Sequence, residues 1–249
     1  MKAAHRHALE APPGARAALL PAHKGIRAGI SLAAAGDMAR SKGDILPHRA
    51  RFIESLGISP GDMCMIRQVH SREILVIDQG ATPGIPAGVA DGMITARTDV
   101  LLTVTVADCL PILLFDLRTG AFGLVHSGWK GTGIAVEALR LMGSIFGSRP
   151  KEVRVTIGPG IGACCYAVPQ ERAERFAAEF GAGSVTRARD GQTSLDLRAA
   201  NVSLLGEAGV EDITVVSNCT CCTPWLGSYR RQGPHDYTLM LAYVGAEKA

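Results

Sequence analysis

The sequence predicts an α+β fold, from three observations. Short aliphatic and β-branched runs recur at residues 74–78, 101–106, 112–116 and 122–126, each the length of a strand rather than of a helix. Helical periodicity becomes clear after residue 132, and strands and helices mix without the regular βαβ alternation of a doubly wound sheet. No internal repeat and no Gly/Ser linker divides the chain, so residues 26–249 read as a single domain. Residues 1–25, rich in Ala, Pro, His and Arg, read as a loosely held leader.

Pro47 suits the first turn of a helix that runs through Phe52 and Ile53 and stops at Gly57. The runs at 112–116 and 122–126 flank the stretch "LRTG", in which Gly120 supplies the positive φ of a hairpin turn. From Thr132 onward Ile134, Ala138, Leu141, Met142 and Ile145 recur at helical spacing until Gly147, which predicts an amphipathic helix packed on a sheet. A strand at 153–157 follows, then a helix with Ala173, Phe176, Ala177 and Phe180 on one face. A helix at 195–207 precedes a strand at 213–216, and a strand at 237–244 closes the order.

The 249 residues are 47% hydrophobic, enough to fill a substantial core. Lys plus Arg number 26 against 23 Asp plus Glu, and their interspersion argues against nucleic acid as the main partner. The longest apolar stretch, residues 100–115, is interrupted by Asp108 and Cys109 and is too short for a membrane span. Pro12, Pro13, Gly14 and Arg16 break any signal-peptide core, so the expected location is the cytosol. Seven cysteines, an odd count without an export signal, read as reduced thiols.

Three segments each end an apolar run with a side chain able to bind a metal: "RQVHS" with His70, "VADCLP" with Cys109 and "LVHSGWKG" with His126. Gathered by the fold, two imidazoles and a thiolate would hold Zn²⁺ with a fourth position open, the pattern of a catalytic rather than a structural site. Such a site attracts an anion or acidifies a water molecule. Each residue also has an ordinary reading, since strand-end histidines are commonly hydrogen-bonded and free cysteines commonly act as small buried hydrophobes.

Lys130, Arg230 and Arg231 suit the gripping of phosphate or carboxylate, or else are solvated loop cations. Gly158, Gly160 and Gly162 could offer amides to a phosphate, but there is no Lys-Ser/Thr pair of a Walker loop, and a tight turn explains them as well. Cys164, Cys165, Cys219, Cys221 and Cys222 raise a second, structural metal site, against which their spacing argues.

At "QVHS", "TVADCLPILLFD", "VHSGWKG", "GPGIGACCY" and "SYRRQG" the sequence resembles the YfiH-like family, in order over roughly residues 25–245. That family was long described as laccase-type polyphenol oxidases and is now treated as purine nucleoside phosphorylases with adenosine deaminase activity. The resemblance implies a single-domain mixed sandwich of β-sheets flanked by helices, with zinc held by His70, Cys109 and His126. It implies phosphorolysis of adenosine, inosine and methylthioadenosine, with some deamination of adenosine. Arg49, with Lys130, Arg230 and Arg231, is then expected to bind substrate or phosphate. The chain departs from the family where His48 precedes Arg49 in place of Asn, and where "RRQGPHD" replaces "RRDGxTGR". The final arginine is missing there, and His235 is its nearest stand-in.

Two reactions suit the centre. Deamination sends an activated water to C6 of adenine while a carboxylate moves protons, and Asp108 is nearest by sequence. Phosphorolysis orients phosphate toward C1′ of the ribose, with Lys130 and Arg231 neutralising its charge. A copper-dependent polyphenol oxidase of the multicopper kind needs many paired histidines, whereas this chain has seven, with its one His-x-His at His5 and His7. Cu²⁺ nevertheless outcompetes Zn²⁺ on most ligand sets. A metal-free cysteine hydrolase with Cys109 as nucleophile and His126 or His70 as base is a second enzymatic reading. A non-enzymatic zinc-binding interaction domain is a third.

Overall fold

The computed structural model describes residues 4–41, 44–45, 47–84, 86–187 and 191–247. The N-terminal half forms β1 (His5–His7), β2 (Ala17–Leu19), β3 (Ile26–Ser31), β4 (Arg40–Ser41), β5 (Asp44–Ile45), α1 (Pro47–Ser55), β6 (Met63–Arg67), β7 (Ile74–Val76), β8 (Pro86–Val89) and β9 (Gly92–Thr95). The remainder forms β10 (Leu101–Val106), β11 (Leu110–Asp116), β12 (Phe122–Ser127), α2 (Ile134–Phe146), β13 (Val153–Ile157) and α3 (Gln170–Phe180). It ends with β14 (Val185–Arg187), β15 (Thr193–Leu195), α4 (Leu197–Glu207), β16 (Asp212–Val216), α5 (Tyr229–Gln232) and β17 (Met240–Ala246).

Two mixed sheets pack face to face. One has the order β1-β16-β13-β11-β12-β9-β7 and the other β2-β3-β17-β10-β6-β8. The alternation of strand side chains explains the layering. In β11, buried throughout, Leu113 and Phe115 join Leu102, Val104 and Val244 of the second sheet in the core between the sheets. Ile112 and Leu114 point the other way, onto Ile134, Ala138 and Met142 of α2 and Ala200 of α4. The outer face of the second sheet packs Met63, Met65 and Tyr243 against Phe52 and Ile53 of α1. The result is a mixed sandwich with helices on its outer faces, and β11 is continuously apolar because it is covered on both sides.

Helix α1 begins at the expected proline, and Gly120 turns the β11–β12 hairpin with φ 73°. The helix expected from residue 195 starts at Leu197, because Asp196 caps it by accepting the Ala199 N–H at 2.9 Å and Leu195 belongs to β15. The closing strand begins at Met240, later than the expected residue 237. Among the described residues no helix is long and apolar enough to cross a membrane.

Within the stretch expected to be a loose leader, residues 5–7 and 17–19 form paired strands. β1 pairs in parallel with β16, and β2 pairs antiparallel with β3. Leu9, Ala18 and Leu20 are buried in the core between the sheets, and Leu9 exchanges two backbone hydrogen bonds with the side chain of Asn218, at 2.7 and 3.1 Å. The sequence hides this because β1 is an edge strand with all three side chains exposed, so it pairs through its backbone and shows no apolar alternation. Leu20→Ala is expected to lower stability by about 2–5 kcal/mol, the cost of truncating a core leucine. Urea denaturation checks this, and an unchanged midpoint would mean that the segment is detached in solution.

Candidate active site

Strand register assembles the site. β12 pairs with β9 so that Val125 faces Gly92, and with β11 so that His126 faces Pro111. His126 therefore lies beside Asp91, whose carbonyl accepts its N–H at 2.7 Å, and beside the turn that carries Cys109. His70 arrives from the connection between β6 and β7. That connection is pinned by Gln68, whose side chain accepts the Thr105 N–H at 2.8 Å and donates to the Thr105 carbonyl at 2.9 Å, extending the β6–β10 pairing. The ligand atoms of His70, Cys109 and His126 lie within 4.8 Å of one another. The two imidazoles meet edge to face with centroids 4.8 Å apart. Gly128 is required here, because a Cβ at that position would approach Cys109 Sγ to 2.8 Å.

Asp91, fully buried, is the residue sequence reasoning missed. Its Oδ1 accepts the Nδ1–H of His126 at 2.8 Å and the His70 N–H at 3.0 Å. Oδ2 accepts the N–H groups of Val69 and Ser71 at 3.1 and 2.6 Å and the Ser71 hydroxyl at 2.8 Å. The first contact fixes the His126 tautomer and leaves Nε2 for the centre. The others hold His70 at φ 61°, a left-handed conformation that costs a non-glycine residue about 1–3 kcal/mol. In sequence, Asp91 before Gly92 looks like an ordinary turn.

Electrostatics follows from this network. Burial opposes the charge on Asp91, yet the bonds from His126, Ser71 and Val69 hold its carboxyl well below the usual carboxylate range. Burial also opposes the Cys109 thiolate, but the charge and hydrogen bonds of His126 and His70 bring its pKa down to about 7. Against its own burial, His126 is raised to about 9 by the Cys109 thiolate and by Asp91. Without a metal, the shared proton therefore favours His126 over the Cys109 sulfur. A divalent ion held there would stand in for that proton, and two nitrogens with one sulfur suit zinc or copper.

The triad opens into a cavity of about 520 Å³ whose walls include Trp129, Tyr166, Tyr229 and Tyr237, with Arg172 and Arg230 as its cations. The Arg172 guanidinium lies 4.8 Å from the Trp129 ring centroid. Asp108 and Arg230, both expected at the site, line the cavity. Each Asp108 oxygen is engaged: Oδ1 accepts the Thr220 hydroxyl at 2.6 Å and Oδ2 the Arg230 N–H at 2.7 Å. The carboxylate thus ties the Cys109 turn to α5.

The remaining expected residues stand elsewhere. Arg49 is buried, donates to the Met38 carbonyl and lines a neighbouring cavity of about 570 Å³ that shares Gln68, Thr105 and Leu239 with the first. Lys130 is exposed outside the cavity, its ammonium 5.5 Å from the Trp129 ring centroid. The expected phosphate role of Arg231 does not fit its position, because its guanidinium donates to the carbonyls of Thr220, Cys221, Thr223 and Leu226 and is absent from the cavity wall. His235 is exposed and also off the wall. Arg172, unremarked in sequence on its helix, does line the cavity.

Fold and site define a mixed β-sandwich protein whose aromatic cavity is built around two histidines and a cysteine able to hold a metal. The chain belongs to the family described as multi-copper polyphenol oxidoreductase laccase, whose model matches residues 29–246, and these are the YfiH-like proteins its motifs resemble. A protein from Deinococcus radiodurans named purine nucleoside phosphorylase is 36% identical over 189 residues, covering 75% of this chain and 72% of that one. Purine nucleoside phosphorylase YlmD of Geobacillus stearothermophilus is 33% identical over 257 aligned residues, covering 94% and 92%. The crystal structure of YlmD matches with a TM-score of 0.82 at 29% identity, covering 90% of this chain and 93% of that one. That of the hypothetical protein YfiH from Bacillus licheniformis matches with a TM-score of 0.80 at 25% identity, covering 93% and 97%.

In metal-free protein, alkylation of Cys109 by iodoacetamide is expected to rise through pH about 7, because the thiolate is the reactive form. In Asp91→Asn the rise should move to higher pH, since His126 loses the partner that keeps it charged. Peptide mass spectrometry reads both profiles, and coincident curves would remove Asp91 from the account.

Proposed function

We propose that the protein is a zinc-dependent purine nucleoside phosphorylase acting on adenosine, inosine and methylthioadenosine, with deamination of adenosine at the same centre. The observation that carries this reading is the pairing of a metal-binding triad with a cavity of flat aromatic walls and two arginines. Those features complement a purine base and a phosphate. The names of the relatives from Deinococcus radiodurans and Geobacillus stearothermophilus support it. Seven free thiols support a reducing, cytosolic setting, for a catalytic domain that takes in β1 and β2 as well as residues 26–247.

In phosphorolysis a phosphate oxygen bonds to C1′ as the C1′–N9 bond breaks, and the electron pair leaves with the base. The products are ribose 1-phosphate and a purine that takes up a proton. His70, Cys109 and His126 would hold a metal, which would supply positive charge at that end of the cavity. Arg172 carries the phosphate charge, helped by Arg230, whose guanidinium is held at the cavity wall by the Cys165 and Ala167 carbonyls, and the tyrosines with Trp129 hold the base by stacking. Asp108 acts as a positioning residue, setting the Cys109 turn against Thr220 and Arg230. Arg231 shapes the wall by gathering the carbonyls behind it.

A second reading has its own support, because Asp91, His126 and Cys109 are aligned as orienting acid, base and nucleophile of a cysteine hydrolase. Its activity would survive chelators. Chromatography of inosine and adenosine incubated with and without phosphate separates the two. Phosphorolysis predicts base release that needs phosphate and stops on metal removal, and deamination predicts inosine from adenosine. Arg172→Ala is expected to lower phosphorolysis about 10–100-fold, the worth of one charge-assisted hydrogen bond. Base release without phosphate, undiminished by chelation, would overturn the proposal.

A further inference from the structure

A second group of sulfurs lies apart from the triad. β13 and β16 are parallel neighbours, with Ile157 beside Val215, so the turns that follow them leave the sheet together. Gly160 and Cys219 continue the pairing as a parallel bridge. Cys164 and Cys165 stand on the first turn, Cys219 and Cys222 on the second, and their four Sγ atoms lie within 4.8 Å of one another. Cys222 Sγ is 3.3 Å from Cys165 Sγ and 3.7 Å from Cys164 Sγ, and all four thiols are free.

We propose that Cys164, Cys165, Cys219 and Cys222 hold one Zn²⁺ in a structural tetrathiolate site, separate from the His70–Cys109–His126 centre. Four sulfurs bound tetrahedrally at about 2.3 Å stand about 3.8 Å apart, close to the spacing seen here. That spacing suits a single ion and leaves no room for the inorganic sulfides of an iron–sulfur cluster. Four thiolates around Zn²⁺ leave negative charge, and the surroundings answer it. The Gly162 N–H donates to Cys219 Sγ at 3.2 Å. Arg198, anchored on the carbonyls of Gly160 and Asn218 at 2.7 and 2.6 Å, brings its guanidinium against the same turn. A Cβ at Gly162 would meet Cys164 Sγ at 3.0 Å and Arg198 Nη1 at 3.5 Å, so glycine lets cation and sulfur close around the loop.

The spacing in sequence hides the site, because two ligands are adjacent residues and the other two lie far along the chain. The clip also has a consequence for the cavity. Tyr166 and Ile161 of the first turn line it, Thr220 of the second bonds Asp108, and Arg230 donates to the Cys165 carbonyl at 3.0 Å. A metal joining the turns would fix that wall whatever reaction the cavity performs.

Metal analysis of full-length protein purified with zinc and without chelators tests this. Wild type is expected to hold two zinc ions per chain, Cys222→Ser one, Cys109→Ala one, and the double variant none. Cobalt substitution gives a readout that does not depend on folding of the Cys222 variant: Cys109→Ala should keep an intense sulfur-to-cobalt charge-transfer band. One zinc in wild type with none in Cys109→Ala, iron in place of zinc, or a Cys165–Cys222 disulfide in the reduced preparation would overturn the proposal.

Discussion

The buried carboxylate of Asp91 is the constraint on which the site depends. Taking an ionised group out of water costs several kcal/mol unless its lone pairs are satisfied, and here five donors converge on it. Those donors belong to the two chain segments that carry the histidines. One set of bonds therefore positions both rings, one through its imidazole and the other through its backbone. The third member, Cys109, is brought alongside by the β11–β12 hairpin and gains its thiolate character from the same histidines.

The sandwich provides the stiffness that this arrangement requires. Cys109 and His126 sit at strand ends of one sheet, and Gln68 with Thr105 ties the His70 segment to the other. The triad end of the cavity stands on strand ends and the connections beside them, and its aromatic walls come from turns and α5. Those turns are themselves secured: Asp108 binds Thr220 and α5, Arg231 collects the carbonyls around it, and four cysteine sulfurs gather where the turns after β13 and β16 meet. Chemistry at the centre and shape at the wall thus rest on different sets of interactions.

What the sequence revealed, and what it concealed, follows from how each feature is encoded. The β11–β12 hairpin, α2 and β13 were legible because burial writes a periodic apolar pattern. His70, Cys109 and His126 were legible because each interrupts such a pattern with a metal-grade side chain. Asp91 was not, since an acidic residue before glycine is what any turn contains. The setting of Arg231 was hidden for a related reason: exposed arginines in sequence look alike, and only the fold shows that one faces carbonyls and another a cavity. The edge strand β1 contributes only backbone pairing, which leaves no trace in side-chain type.

The claim that most needs testing is that one divalent ion binds all three triad residues and keeps a position open for substrate. Anomalous scattering from crystals of zinc-loaded protein, recorded on both sides of the zinc edge, tests it directly. The expected result is a peak about 2.0–2.3 Å from one nitrogen each of His70 and His126 and from Cys109 Sγ, with a solvent molecule as the remaining ligand. A fully loaded, active protein with no peak at that position, or with the ion bound away from any one of the three, would contradict it.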